Sequence, residues 1–322
     1  MRALVVTRNG GPEVLEVQER PVPEPGPGEV LVEVVAAGVN FIDVYQREGV
    51  YPIPTPFVLG GEGAGRVAAV GGGVTDVAVG DEVATAEARG AMASMVLAPA
   101  EAVVPVPAGL PVETAAAAML QGMTAHYLVN STYAVRPDDE VLVHAAAGGM
   151  GQLLVQLAKA KGAHVVATVG AAAKADIARS LGADEVIRYD EVDDLAEAVR
   201  AASGGGVHVA YDGVGRATFD ASLAALRTRG MLALFGAASG AVPPVDPQRL
   251  NSGGSLFLTR PTLKHYTQTR EELLWRSGEV LTAIADGTLR LQIGGRYRLD
   301  DAASAYRDLQ GRATTGKLLI VP

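Results

Sequence analysis

The chain has 322 residues, 48% of them hydrophobic, no cysteine, and a formal net charge of −9. Two domains of ordinary size fit that length. The lack of cysteine excludes disulfides, thiolate nucleophiles and cysteine-ligated zinc, and an acidic balance without basic, aromatic-interleaved runs argues against nucleic acid as a partner.

No apolar run approaches the ~18 residues that cross a bilayer. The start, Met1 to Val14, turns polar at Thr7 without a signal-peptide core, so a soluble cytoplasmic protein with no membrane partner is expected. Residues 1–120 read as β-rich: Leu4 to Val6, Val30 to Val35, Gly65 to Val70 and Glu82 to Thr85 are short strand-like runs. Pro and Gly clusters separate them, notably Pro21 to Gly28 and Tyr51 to Pro56, with turns at Gly71 to Gly73 and Val79 to Asp81. Short strands at this spacing predict a partly open barrel.

From about residue 125 strands and helices alternate. Strands are expected at 141–145, 163–169, 185–189, 207–212, 231–235 and 255–259, and helices at 150–161, 173–181, 193–202, 217–227 and 269–286. That rhythm implies βαβ units and a parallel sheet. The tail, 288–322, returns to short strands (Arg296 to Leu299, Lys317 to Val321) around one short helix, so it is expected to complete the first domain.

The most informative stretch lies in this α/β half: Asp138-Asp139-x-x-Leu142-x-x-x-Ala146-Ala147-Gly148-Gly149-x-Gly151-x-x-x-x-Gln156-x-x-Lys159. Val141, Leu142 and Val143 lead into a glycine-rich turn, and Met150, Leu153, Leu154, Leu157 and Ala158 then recur with helical period. Gly148 removes a Cβ that would keep a pyrophosphate from the backbone, and Gly151 lets helix and strand pack closely. Unpaired N–H groups at the new helix start face the anion.

With turn and layout together, the chain resembles the quinone oxidoreductase (zeta-crystallin-like) family of the medium-chain dehydrogenase/reductase superfamily. The stretch just quoted matches that family's signature, and Gly38 to Asp43, Gly60 to Gly65, Gly80 to Val83, Gln121 to Ala125 and Arg312 to Gly316 match as well. The resemblance implies an α/β fold: a GroES-like β-barrel domain (1–124 and 265–322) plus a Rossmann doubly wound parallel-sheet domain (125–264). Zinc-dependent relatives carry Cys in the G-V-x-x-x-D segment and His in G-H-E, where this chain has Asn40 and Gly61, and nothing after Asp81 corresponds to their second, four-cysteine zinc lobe. The five histidines, none paired at i,i+4, read as structural, so no catalytic metal is expected.

An NAD fold usually places an acid about 20 residues past the glycines, on the ribose 2′-OH. Here the second strand ends at Gly170 with none; Lys174 follows, and Tyr189 ends the third strand. A cation and a phenol suit a 2′-phosphate, so NADPH is the expected cofactor, and the resemblance adds Arg312. By resemblance the cofactor is also contacted by Phe41, Ile42, Thr124, Tyr127, Ala147, Gly148, Gly149, Met150 and Gly151. Gly213, Phe235, Gly236 and Arg260, which follow later strands at the carboxyl edge, are carried over too.

The resemblance puts Asn40, Asp43, Tyr45, Tyr51 and Gln121 near the nicotinamide, with the Asn40 amide and the two phenols as donors to a substrate carbonyl and Asp43 as an orienting group. The expected activity is NADPH-dependent, zinc-independent quinone reduction. Reduction of activated C=C bonds in 2-alkenals or enones is the alternative, and a non-catalytic NADPH-binding structural or RNA-binding role is a reading of another class. A homodimer paired through Leu256 to Thr259 is implied by the resemblance.

Overall fold

The computed structural model describes residues 1–312 and 314–322. In chain order, β1 (Arg2–Val6), β2 (Leu15–Glu19) and the long β3 (Glu29–Gly38) precede α1 (Phe41–Arg47). There follow β4 (Phe57–Val58), β5 (Gly63–Val70), β6 (Glu82–Thr85), β7 (Met95–Pro99), β8 (Val104–Pro105) and α2 (Val112–Tyr127). The alternating half runs β9 (Glu140–Val143), α3 (Gly149–Ala160), β10 (His164–Val169), α4 (Ala172–Ser180), β11 (Glu185–Arg188), α5 (Leu195–Ala202) and β12 (Val207–Asp212). It continues through α6 (Phe219–Ala225), β13 (Leu226–Leu234), α7 (Gln248–Ser252) and β14 (Phe257–Thr259). The tail is α8 (Arg270–Ala285), β15 (Ile293–Arg298), α9 (Ala302–Gln310) and β16 (Lys317–Val321).

These elements form two compact units, Met1–Met123 with Thr267–Pro322, and Thr124–Tyr266. Among the described residues, the first unit has a seven-stranded sheet of order β15-β16-β3-β5-β6-β8, with β7 also on β3, and a three-stranded sheet β2-β1-β4. β3 shows why: Val30, Val32 and Val34 are buried while Glu33 and Val35 are exposed, the period-two pattern of a half-buried strand. β16 pairs antiparallel with the end of β3, Leu319 opposite Gly38 and Ile320 opposite Ala37, so the last strand lies beside the chain that leads into α1. Leu4, Val32, Val67, Met92, Tyr306 and Ile320 belong to one buried cluster.

In the second unit six parallel strands run β11-β10-β9-β12-β13-β14, the doubly wound order of a Rossmann sheet. Val141, Leu142 and Val143 of the central strand are fully buried, as expected where helices cover both faces. No helix among the described residues is long and apolar enough to cross a membrane.

Three local expectations change. The β-rich reading of residues 1–120 overlooks α1 and the start of α2. α1 has only 7 residues, too few to show a period, and α2 is built on the buried run Ala115 to Ala118, strong helix formers with almost no side-chain pattern. The helix expected at 217–227 stops at Ala225, because Leu226 pairs with Val207 and begins β13, which the sequence placed only at 231–235. Strand pairing there overrides a locally helical pattern.

Candidate active site

In the first unit, β3 ends at Gly38 and Asn40 is the N-cap of α1. Asp43, at the third helical position, accepts from the Asn40 N–H at 2.9 Å, the returning half of a capping box. The Asn40 side chain, 3% exposed, is engaged inside the protein. Its Nδ2 donates to Gly38 O at 3.1 Å and to Glu62 Oε2 at 2.7 Å, and its Oδ1 accepts from Lys317 Nζ at 2.6 Å. An amide has two hydrogens to give, and both are used. Its side chain is thus tied to Gly38, Glu62 and Lys317 at the start of α1.

Asp43 is fully buried. Burial pushes its carboxyl up to about 7, while the Asn40 amide, the Tyr306 phenol and the Lys317 ammonium pull the other way. Tyr306 donates to Asp43 Oδ2 at 2.9 Å, and Asp43 Oδ1 is buried without a partner. Farther along α1, Tyr45 meets Tyr51 edge-on, with ring centres 5.4 Å apart at 69°, and Phe41 lies 6.3 Å from Tyr45. The Tyr51 N–H donates to Tyr45 O at 3.0 Å and holds the loop against the helix. Phe41, Ile42 and Tyr45 are half-buried and Tyr51 is exposed, so this aromatic wall reaches solvent. Gln121 sits on α2 with its Oε1 buried and unpartnered. Arg312 follows α9 with φ 57°; residue 313 of the motif it opens lies outside the described residues.

In the second unit, Gly148 is the N-cap of α3, and no side chain caps the helix. The first-turn amides, at Gly149, Met150 and Gly151, are the kind that take up an anion. A Cβ on Gly148 would meet only Ala145 O, at 3.2 Å, so the mouth of the helix is open. On Gly151 a Cβ would run into Ala145 O and lie 2.6 Å from Ala146 Cα; only glycine lets α3 sit this close to the turn. Gln152 Nε2 donates to Ala147 O at 2.9 Å and braces that turn.

β10 gives way to Gly170 and then α4, with Lys174 in the first turn. A Cβ on Gly170 would collide with the Tyr189 phenolic oxygen, so the phenol lies directly over Gly170. Gly213 and Gly236 also face each other: a Cβ on Gly236 would lie 2.9 Å from Gly213 Cα, and one on Gly213 would lie 2.6 Å from the Phe235 ring. Thr124 and Tyr127 end α2, Tyr127 stacked on Tyr266 at 4.2 Å and 3°, and Arg260 directly follows β14.

Buried Asp212 sets the loop around Gly213. Its Oδ1 accepts from the Val214 and Gly215 N–H groups at 2.8 and 3.0 Å, and its Oδ2 from the Thr218 and Ser222 hydroxyls, both at 2.7 Å. Ser222 has then given its one hydrogen, so it accepts from His144 Nε2–H at 2.9 Å, and His144 Nδ1 accepts from Thr168 Oγ1 at 2.8 Å. Burial lowers the His144 pKa and keeps this imidazole neutral.

Sequence reasoning passed over Lys317 and Tyr306, and met Glu62 only as part of the matching segment Gly60 to Gly65. A signal for Lys317 was present: a lone charge heading the apolar strand Leu318, Leu319, Ile320, Val321.

Residues 26–108 match the alcohol dehydrogenase GroES-like domain, and residues 149–273 match the family described as zinc-binding dehydrogenase. The chain is 44% identical over 320 residues to quinone oxidoreductase 1 of Escherichia coli strain K12, covering 98% of each. It is 42% identical over 329 residues to the 2-haloacrylate reductase of a Burkholderia species, covering 99% of this chain and 98% of that one. Its structure superposes on Escherichia coli quinone oxidoreductase in complex with NADPH with a TM-score of 0.97, at 43% identity and with both chains fully covered. The chain belongs to the quinone oxidoreductase family of the medium-chain dehydrogenase/reductase superfamily, with a GroES-like domain and a Rossmann domain.

A family described as zinc-binding implies a metal, and the residues here do not fit one. The positions that carry Cys and His in zinc relatives are an amide and a glycine. The oxygens that face inward, Asn40 Oδ1 and Glu62 Oε2, each lie 2.6 Å from the Lys317 ammonium, so a cation of the chain's own already occupies them.

Proposed function

We propose that this chain is an NADPH-dependent quinone reductase that works without a metal. The observation that carries the reading is the end of β10. No carboxylate stands there to repel a 2′-phosphate, Gly170 lies under the Tyr189 phenol, and Lys174 occupies the first turn of α4. The relative with a TM-score of 0.97 was solved with NADPH, which supports the same cofactor here.

Residues 125–264 hold the cofactor: the α3 amides, with Ala147 and Gly148, take the pyrophosphate, and Lys174 and Tyr189 take the 2′-phosphate. Gly213, Phe235, Gly236, Arg260 and Tyr127 line its path. The substrate binds to residues 1–124 and 265–322, which carry Phe41, Tyr45, Tyr51 and Gln121. When bound, NADPH supplies a hydride from its nicotinamide ring. The phenols of Tyr45 and Tyr51 donate to the carbonyl oxygen on which negative charge grows, and the wall they form with Phe41 stacks on a planar quinone. Asn40 and Asp43 hold the start of α1, and Gln121 offers an acceptor from α2.

A second reading, reduction of a C=C bond conjugated to a carbonyl or carboxylate, is favoured by the 42% identity to a 2-haloacrylate reductase. The same donors serve it, with hydride going to the β-carbon. We place the protein in the cytoplasm, as a homodimer paired along β14, the edge strand of the second unit, where Phe257 is 56% exposed.

The deciding assay follows NADPH oxidation by purified protein with 1,4-benzoquinone, 2-chloroacrylate or a 2-alkenal, with NADH in parallel. Fast turnover with quinone and NADPH supports the main reading. Preference for the chloroacrylate or alkenal moves the activity to ene reduction, and tight NADPH binding without turnover on any of them defeats both.

A further inference from the structure

Lys317 and Glu62 form an ion pair at 2.6 Å with both side chains fully buried. A buried pair of this kind contributes little net stability compared with apolar packing, so its presence calls for another reason. Every atom of the Glu62 carboxylate is engaged. Oε2 takes Lys317 Nζ and Asn40 Nδ2, and Oε1 accepts from the Leu120 backbone N–H at 2.7 Å. Asn40 starts α1. Leu120 lies in the middle of α2, where an amide ordinarily serves the carbonyl four residues back. The single carboxylate thus grips two helices at the residues directly before Phe41 and Gln121. Room for it is built into β3: a Cβ on Gly38 would collide with Glu62 Oε2 and lie 2.9 Å from Lys317 Cε.

We propose that Glu62 and Lys317 are positioning residues for the reduction assigned above, a buried clamp that sets the spacing between α1, with Phe41, Asp43 and Tyr45, and α2, with Gln121. The role rests on that functional reading. The ammonium's contacts turn inward to Asn40 and Glu62, so it fixes geometry and does not touch the substrate. The unpartnered Gln121 Oε1 marks what the clamp aims: a buried acceptor one residue past Leu120, held ready for a donor on a ligand.

The test compares wild type with the double variant E62Q/K317M, which leaves no unpaired buried charge, and with K317R, which keeps the charge but changes its reach. Thermal unfolding, NADPH titration and steady-state kinetics with 1,4-benzoquinone and 2-chloroacrylate are measured on each. The double variant should stay folded and bind NADPH within about twofold of wild type. Its kcat should fall by on the order of tenfold to a hundredfold, the usual cost of misplacing reacting groups by about an ångström, with K317R intermediate. Wild-type kcat in the folded double variant overturns the proposal. If the double variant does not fold, wild-type kcat in K317R overturns it. Amide hydrogen exchange over residues 41–47 and 116–124, read without substrate, separates the clamp from the activity. Faster exchange in both segments of the variants supports the clamp even if wild type reduces neither substrate, and unchanged exchange removes it.

Discussion

The phenol of Tyr306, on α9, donates to Asp43 Oδ2 on α1 across 2.9 Å, joining residues 263 positions apart in a site with no access to water. Together with the Asn40 N–H it gives Asp43 two donors on one oxygen, and neither offsets the cost of keeping that carboxylate dry.

Stability should therefore depend on Asp43 with a definite sign. Burial lifts its folded pKa to about 7, whereas an unfolded aspartate titrates near ~3.9. Between those values the folded state holds more protons than the unfolded state, so this group's stabilisation is complete below about pH 4 and is lost as pH rises to about 7. Asp43→Asn removes the dependence. Urea unfolding of variant and wild type from pH 4 to 8 should show the difference moving in the variant's favour up to about pH 7 and then levelling. A difference constant with pH would mean that Asp43 titrates like a surface carboxylate.

Asn40→Ala deletes the groups that bond Glu62, Gly38 and Lys317 and leaves those buried atoms short of a partner, at a cost of about 1–3 kcal/mol in stability. kcat should fall about tenfold or more, equivalent to at least ~1.4 kcal/mol of barrier. NADPH affinity, read by fluorescence titration, should barely change. Equal losses in both would place Asn40 on the cofactor instead.

Lys174→Ala should cut the preference for NADPH over NADH by on the order of tenfold, since one charge-assisted hydrogen bond to a phosphate is worth about 1.5–3 kcal/mol. The change should appear in the KM for NADPH and leave that for NADH nearly untouched. Parallel changes for both cofactors would refute the assignment.

Two glycines separate a packing role from a binding role. Gly151→Ala pushes a methyl into backbone, Ala145 O and Ala146 Cα, and should lower stability by roughly 1–3 kcal/mol along with cofactor affinity. Gly170→Ala meets only the end of Tyr189, a residue 46% exposed that can swing away. That variant should melt close to wild type and still bind NADPH several-fold more weakly, with calorimetry and titration on the same samples deciding.

Phe257→Lys puts a charge on the exposed edge of β14 and should convert a dimer to monomer in sedimentation velocity at micromolar concentration. An unchanged dimer would move the contact elsewhere.

The Rossmann half could be read along the chain because its rules are local. Strand, glycine turn and helix start are defined by residues within about a dozen positions, and Gly151 is required by atoms only five and six residues before it. The absent acid after β10, and the amide and glycine at the positions that zinc relatives use, were equally visible. The first unit's site was visible as a set of residues but not as an arrangement. Asn40 looked like a free donor until the fold brought Lys317, 277 positions away, and Glu62, 22 away, to take up its polar groups. Asp43 was visible as an orienting group, but not that Tyr306 and the core close over it. A buried polar group must find its partners in space, and β16 lying beside β3 supplies them; no pattern near residue 40 contains that pairing.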